Sequence, residues 1–429
     1  VLSADWQEQL LQTQRLFVGF SGGLDSTVLL HHLATSKALL GKIEAVHVHH
    51  GLSPQASFWL QHCQAFCEAL RVPLQTHHLN LNISSNIEAQ AREARYGVFT
   101  LLLEENDALL LAHHADDQAE TLLLQLFRGA GVDGLAAMPA QRPLGKGVLL
   151  RPLLQCTRNA LETYAKQHQL SWIEDESNQD QDFRRNYLRH DILPRLQEKW
   201  PQLVNNLSRT AHHCQQAAKH VEQLASIDAA DLPLSDAHLP LGPLKTLASD
   251  RLANVLRQWL KKNKVRMPSS NALQQLMDEL IFVRRDAKPF LQWGEVSLRR
   301  YQDTLYLLKK TINLPWSPCA WSNFPAPLLL DGQRHVVQAK KVMRCGLRVP
   351  EGANIYLRPR QDGEFFYWRG QHKSLKKLFQ QWCIPPWQRE QVPLLFINDK
   401  LAMVVGFAIG DDYFCEEGSE LYEVQEVIT

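Results

Sequence analysis

The stretch Phe17-Val18-Gly19-Phe20-Ser21-Gly22-Gly23-Leu24-Asp25-Ser26-Thr27 restricts this chain more than any other, because an apolar strand runs into a glycine pair and leaves it as a helix. Gly22 and Gly23 let the backbone bend tightly and approach a ligand with no Cβ in the way. Ser21, Ser26 and Thr27 place hydroxyls near the helix start, where successive amide N–H groups form a cradle for phosphate oxygens. The carboxylate of Asp25 repels naked phosphate, so it implies either a bridging Mg²⁺ or a hydrogen-bonding role at the base of the loop. On these residues alone, anion binding and a plain structural turn stand level.

No lysine follows the glycines, so this is not the Gly-Lys-Ser/Thr nucleotide loop, and the third spaced glycine of the dinucleotide fingerprint is missing. Taken in order, the pattern predicts strands over Arg15–Phe20, Ile43–His50, Leu74–Leu79 and Ala108–Ala112. Helices are expected over Thr27–Leu33, Ser57–Leu70, Glu88–Leu103 and Asp116–Phe127. Such alternation reads as α/β, a mostly parallel sheet covered on both faces. Ligands of these sheets bind beyond the carboxyl ends of the strands. That rule selects Ser21–Ser26, His49–Gly51 and His113–Asp117.

His49 and His50 close a strand and serve either a nucleotide or local hydrogen bonds. In His113-His114-Ala115-Asp116-Asp117-Gln118-Ala119-Glu120-Thr121, Asp117 and Glu120 are three apart and Asp116 and Glu120 four apart, so two carboxylates can share a helix face near its start. They are either favourable partners of the helix dipole or hard oxygen ligands for Mg²⁺. Glu88, Arg92 and Tyr96 share one face of the preceding helix. That face is either an exposed salt-bridged surface or a place where Arg92 meets a phosphate or a base.

A chain of 429 residues predicts two to four domains, and a net charge of +1 means that any nucleic-acid surface must be a local patch. Eight cysteines are present with no Cys-x-x-Cys, which points to a reducing cytoplasm rather than a zinc site or a secreted disulfide framework. Neither a leader nor a long apolar span is evident, so no membrane is expected.

Residue for residue from Ser21 to Ser26, the turn resembles the Ser-Gly-Gly-x-Asp-Ser loop of the ATP-pyrophosphatase (PP-loop) superfamily, and His113 to Thr121 resembles its second motif. Within that superfamily, Glu88 to Tyr96, Arg128 to Gly131, Gly134 to Met138, Arg151 to Leu154, Trp172 to Asn178 and Arg184 to Arg189 resemble the tRNA(Ile)-lysidine synthetase family. The resemblance implies ATP as co-substrate with Mg²⁺. It also implies free L-lysine and an isoleucine tRNA with the anticodon CAU as partners, whose wobble cytidine is adenylated at the C2 oxygen and then attacked by lysine. ATP would meet Ser21, Gly22, Gly23, Leu24, Asp25, Ser26, His49 and His113, and Mg²⁺ would sit on Asp25, Asp117 and Glu120. Arg92 and Arg185 would contact the base or adenylate, and Glu88 or Glu120 would take the lysine proton.

These expectations divide the chain into a catalytic domain over 1–200, a helical linker and middle tRNA-contacting domain over 201–315, and a small α+β tRNA-binding domain over 328–429. Leu203–Leu224, Leu247–Lys262 and Asn271–Ile281 read as helices, Trp293–Leu308 as antiparallel strands and Pro315–Pro327 as linker. Near the carboxyl end, Arg358, Arg360, Arg369, Lys373, Lys376 and Lys377 face only Asp362 and Glu364, a surface suited to phosphates. Trp368, Trp382 and Trp387 read as core more than as stacking groups. Leu-rich helix faces make a homodimer plausible. Two rivals stand beside this reading: a tRNA thiolase of the same superfamily, which needs reactive cysteines, and a non-catalytic RNA-binding protein, which leaves the acidic helix start without a task.

Overall fold

The computed structural model describes residues 2–49, 55–79, 87–174, 184–230, 232–281, 289–309, 316–330 and 335–428. His50, Gly51 and the stretch from Asp175 to Asn178 lie outside them, and so does the side chain of Glu88. The chain forms two compact units, Val1–Ile227 and Asp228–Thr429.

The first unit opens with α1 (Ala4–Gln12), β1 (Leu16–Gly19), α2 (Leu24–Ala34), β2 (Ile43–His49), α3 (Ala56–Leu70) and β3 (Leu74–His78). It continues with α4 (Ile87–Leu102), β4 (Ala108–Leu110), α5 (Ala115–Leu126) and α6 (Val132–Leu135). The hairpin β5 (Gln141–Leu144) and β6 (Gly147–Leu150) follows, then α7 (Arg158–Gln167), α8 (Arg184–Tyr187), α9 (Leu193–Lys199) and α10 (Leu203–Ala229). The sheet runs β3-β2-β1-β4-β6-β5, parallel except for β5, which returns antiparallel along β6. The strand pattern had predicted the parallel core but not this hairpin.

Side chains alternate across the sheet as a period of two requires. Leu16, Val18, Ala45, Ala108 and Leu110 enter a core that also holds Val28, Leu29, Leu33, Cys63, Cys67, Leu161 and Ala165, so α2, α3 and α7 cover that face. Phe17, Val46, Val48, Leu109 and Leu149 enter the other, closed by Phe99 and Leu103 from α4 and its end. A strand buried on both faces must be apolar throughout, which is why β1 and β4 read as dense hydrophobic runs.

The second unit begins with β7 (His238–Pro240), α11 (Ser249–Lys262), α12 (Ser270–Leu276), β8 (Phe290–Trp293), β9 (Val296–Tyr301) and β10 (Thr304–Lys309). The strands form the antiparallel sheet β7-β10-β9-β8, and α11 buries Leu252, Val255, Leu256, Trp259 and Leu260.

Then come β11 (Cys319–Ala320), β12 (Leu328–Leu329), β13 (His335–Arg348), β14 (Ile355–Arg358), β15 (Phe365–Trp368) and β16 (Gln371–Ser374). The chain ends through α13 (Leu375–Gln381), β17 (Leu394–Ile397), β18 (Lys400–Val404), β19 (Ala408–Ile409) and β20 (Phe414–Ile428). Architecture in this region is β-rich, with α13 as its helix. Trp316 and Trp321, expected in a linker, are instead buried with Leu330, Val337, Leu357 and Leu395. Two large aromatic rings this close to a strand-rich segment had a core to enter, and burying them outweighs a prolyl linker's openness.

Trp368 and Trp382 pack half-buried against Phe366, Leu375, Leu378 and Phe379. Trp387 meets Tyr301 and Tyr306 edge to face, and Arg389 donates to the Tyr301 hydroxyl at 3.2 Å and to the Ile384 carbonyl at 2.9 Å. No helix among the described residues is long and apolar enough to cross a membrane.

Candidate active site

β2 and β3 lie to one side of β1 and β4 to the other, so strand order reverses between β1 and β4. A crevice opens at such a reversal, outside the carboxyl ends of the strands. The glycine turn leaves β1 there, and the His113-His114 pair leaves β4 beside it.

The turn is tied internally by small polar groups. The Ser21 and Ser26 hydroxyls lie 3.1 Å apart, Ser26 Oγ donates to the Gly23 carbonyl at 3.0 Å, and Thr27 Oγ1 donates to the Gly22 carbonyl at 3.3 Å. Gly22 has φ +82°, and a Cβ there would fall 2.7 Å from Ile173 Cδ1 and 3.0 Å from Cys63 Sγ. Ile173 itself hydrogen-bonds through its amide to the Gly22 carbonyl at 2.9 Å, backing the loop. His47 braces the approach by donating from Nδ1 to the Phe20 carbonyl at 2.9 Å. Leu24 sends its side chain into the core, so only its amide can face a ligand. Asp25 leaves Oδ1 buried with no hydrogen-bond partner.

At the start of α5, His114 is buried among three carboxylates. Its Nε2 is 3.6 Å from Asp25 Oδ2 and 3.5 Å from Asp117 Oδ2, and its Nδ1 is 3.5 Å from Asp116 Oδ2. Burial opposes its charge, but Asp116, Asp25 and Asp117 outweigh that and push its pKa up to about 10, so the ring is an imidazolium. Asp116 also accepts the Arg158 amide at 2.8 Å, fixing the start of α7. Asp117 accepts the His114 amide at 3.1 Å and the Nη2 groups of Arg185 and Arg189, each at 3.0 Å. Burial disfavours that carboxylate's charge, yet His114, Arg185 and Arg189 hold its pKa down at about 2.

Glu120 is fully buried, and its two oxygens are taken by Arg185 Nε and Arg189 Nε, each at 2.6 Å. The same two guanidiniums also meet Asp117 Oδ1, so both α5 carboxylates expected at the metal are ion-paired in this arrangement. Arg185, expected at the base or adenylate, is brought to the acidic pair. Arg189, one helical turn on, joins it and is the partner that the sequence reading did not single out.

His113 is the opposite of its neighbour. Burial, with Arg151, Arg185 and Arg92 against the attraction of Asp117, lowers its pKa to about 3, leaving a neutral ring that accepts from Arg151 Nε at its Nδ1, 3.2 Å away. Arg92 is exposed, with its guanidinium 5.2 Å from the Tyr96 ring centroid; Arg142 sits at the same distance from that ring. The His49 and His78 rings lie 4.8 Å apart, tilted by 45°, at the adjoining ends of β2 and β3. Sequence reading gave no individual role to His114, Asp116 or Arg151, although all three lie in segments it singled out. The repeated His-His and Asp-Asp pairs were the available signal, but which member of each turns inward is set by the helix start.

A glycine turn at the end of the first strand, meeting a paired acidic helix start across the reversal of a parallel sheet, defines an ATP-pyrophosphatase of the PP-loop class. In agreement, the family described as a PP-loop domain matches residues 3–196, the TilS substrate binding domain matches 239–306, and the TilS substrate C-terminal domain matches 355–426. The chain is 50% identical over 425 residues to the tRNA(Ile)-lysidine synthase of Legionella pneumophila (strain Lens), covering 99% of this chain and 98% of that one. It is 40% identical to the synthase of that name from Coxiella burnetii (strain RSA 493 / Nine Mile phase I), over 94% of this chain and 91% of that one. The chain belongs to the tRNA(Ile)-lysidine synthase family and is an ATP-dependent ligase.

Proposed function

We propose that the crevice between β1 and β4 adenylates the C2 oxygen of the wobble cytidine in a CAU-anticodon isoleucine tRNA and then passes the base to free L-lysine, in the cytoplasm. The cytosine oxygen attacks the α-phosphorus of ATP, the bond to the β-phosphate oxygen breaks, and pyrophosphate leaves. An uncharged amine of lysine then attacks C2, loses a proton, and AMP departs with the oxygen. The observation that supports this reading best is the ion cluster joining Asp25 of the glycine turn to His114 and Asp117 of α5.

Protein groups here have electrostatic rather than covalent work to do. Amides of the Ser21–Ser26 turn hold pyrophosphate oxygens, and the imidazolium of His114 balances Asp25, Asp116 and Asp117 so that the pocket is not repulsive to ATP. Asp25 Oδ1, buried and unpartnered, offers the hard oxygen a divalent cation requires, and Asp117 Oδ2 lies 3.5 Å from the same His114 nitrogen that Asp25 Oδ2 meets. Asp25, with Asp117 and Glu120 beside it, would hold Mg²⁺, which when bound would neutralise phosphate charge; the guanidiniums of Arg185 and Arg189 that now occupy both Asp117 and Glu120 would have to turn to the phosphates. Arg185 and Arg189, anchored by Glu120, present cationic edges to the adenylate, and Arg92 approaches the base. His49 lies at the nucleotide end of β2.

In the second unit, Arg369 and Lys373 rest over Trp368 at 4.4 Å and 5.2 Å, beside exposed Lys376 and Lys377. These four supply phosphate contacts for the tRNA body. Arg358 and Arg360 do not, since they are paired with Glu364 and Asp362. A thiolase reading is disfavoured by Cys63 and Cys67, the thiols packed behind the turn, whose burial pushes both pKa values up to about 12. The test is incubation with ATP, Mg²⁺, labelled lysine and the CAU isoleucine tRNA, followed by nucleoside mass analysis. A lysine-bearing cytidine is expected; unmodified or sulfur-bearing cytidine would reject the assignment.

A further inference from the structure

We propose that Arg151 is a positioning residue for the adenylation step, fixing His113 as the tautomer that carries its proton on Nε2 and from there donates a hydrogen bond to the α-phosphate. The inference rests on the adenylation reading above and deepens it.

A guanidinium is always protonated and has no acceptor, so a hydrogen bond from Arg151 Nε can end only on a bare ring nitrogen. The 3.2 Å contact at Nδ1 therefore leaves Nε2 as the protonated nitrogen of a neutral ring. Arg151 is only 4% exposed, and no carboxylate among the described residues pairs with it. A buried cation of this kind has to be held by acceptors, and the structure provides them in order. Arg151 follows β6, whose Leu150 carbonyl accepts the Leu111 amide at 3.0 Å, so residues 111–113 run alongside it.

Its amide donates to the Ala140 carbonyl and its Nη1 to the Pro139 carbonyl, each at 2.8 Å. The loop that bears those carbonyls is clamped in turn. Buried Gln118 of α5 makes paired bonds with the Met138 backbone at 2.8 Å and 2.9 Å, and Gln215 of α10 donates to the Met138 and Ala136 carbonyls at 3.0 Å and 2.9 Å. A histidine that had only to fill space would not need a buried arginine registered by two glutamines. A donor whose proton must sit on one named nitrogen does.

The test uses the full chain labelled with ¹⁵N, the His113 ring signals being assigned by their loss in His113→Gln. At neutral pH the wild-type ring should show bare Nδ1 and protonated Nε2, and Arg151→Gln should lose that fixed pattern. In single-turnover pyrophosphate release with tRNA, Arg151→Gln should slow the step ~10–100-fold, as loss of an orienting partner does. ATP affinity should change little. Added to His113→Gln, the same substitution should cost less than ~2-fold more, since both act through one ring.

A wild-type Nδ1–H ring, an imidazolium, or full additivity of the two substitutions overturns the proposal. Should Arg151→Gln fail to fold, the wild-type ring spectrum still decides it. Wild-type protein that shows the expected tautomer but releases no pyrophosphate would instead sink the adenylation reading.

Discussion

Asp25 Oδ2 lies 3.6 Å from Nε2 of His114, and this ion pair joins the turn after β1 to the turn after β4. His114 is buried and caps α5, and Asp25 lies in the first turn of α2, so the pair also ties two helix starts together.

His114→Gln removes the imidazolium that lies among Asp25, Asp116 and Asp117. Leaving three carboxylates with a neutral neighbour should destabilise the first unit by about 3–5 kcal/mol. Pyrophosphate release should fall by at least ~100-fold, the scale of a lost electrostatic partner in a preorganised site. Urea midpoints and single-turnover release measure the two effects; unchanged values of both would remove His114 from the site.

Gly22→Ala imposes a side chain at φ +82° with its Cβ 2.7 Å from Ile173 Cδ1. The strain should cost about 1–3 kcal/mol and displace the phosphate amides, weakening ATP at least ~10-fold in a calorimetric titration. Ile173→Val in the same chain should relieve the contact but not the dihedral, so affinity should recover only in part.

Stability should fall on both sides of about pH 6.5, the ordinary histidine value. Burial, helped by His31, lowers His32 to about 4, and burial lowers His47 despite its bond to Phe20. The unfolded chain therefore binds more protons than the native one as pH drops below the ordinary value, and native stability is lost on the acid side. His114 has the opposite sign. Its raised pKa contributes stability that is complete below about 6.5 and is lost as pH rises toward about 10. Denaturant midpoints across this range should form a dome, and His114→Gln should flatten its alkaline limb.

Lys376→Ala combined with Lys377→Ala should lower the salt slope of tRNA binding by ~2, about one unit per lost phosphate contact. Arg360→Gln should leave the slope almost unchanged, because Asp362 already holds that guanidinium at 2.5 Å. Filter binding across a salt series separates the two, and equal slopes for both variants would move the RNA surface elsewhere.

Much of this architecture was readable in the chain. The parallel core followed from β1 and β4, whose residues are apolar on both faces, and the crevice followed from where Gly22 and His113 sit at strand ends. The β5–β6 hairpin was hidden because its strands are four residues each and one carries Pro143. The ion pairs of Glu120 were not legible, because helical spacing shows which side chains share a face but not what arrives from 65 or 69 residues away, here Arg185 and Arg189. Trp316 and Trp321 were misplaced for a related reason, since proline-rich surroundings say nothing of a distant core. His113 and His114, adjacent and chemically identical, acquire opposite charge states only from their surroundings, Arg151 for one and three carboxylates for the other.

The most direct measurement is pyrophosphate release from ATP by the wild-type enzyme and CAU isoleucine tRNA with lysine left out. Activation of the base precedes attack by the amine in this account, so pyrophosphate should appear in a burst close to one per tRNA-bound site, with AMP retained on the RNA. Release that begins only when lysine is added, or that proceeds equally without tRNA, would contradict it.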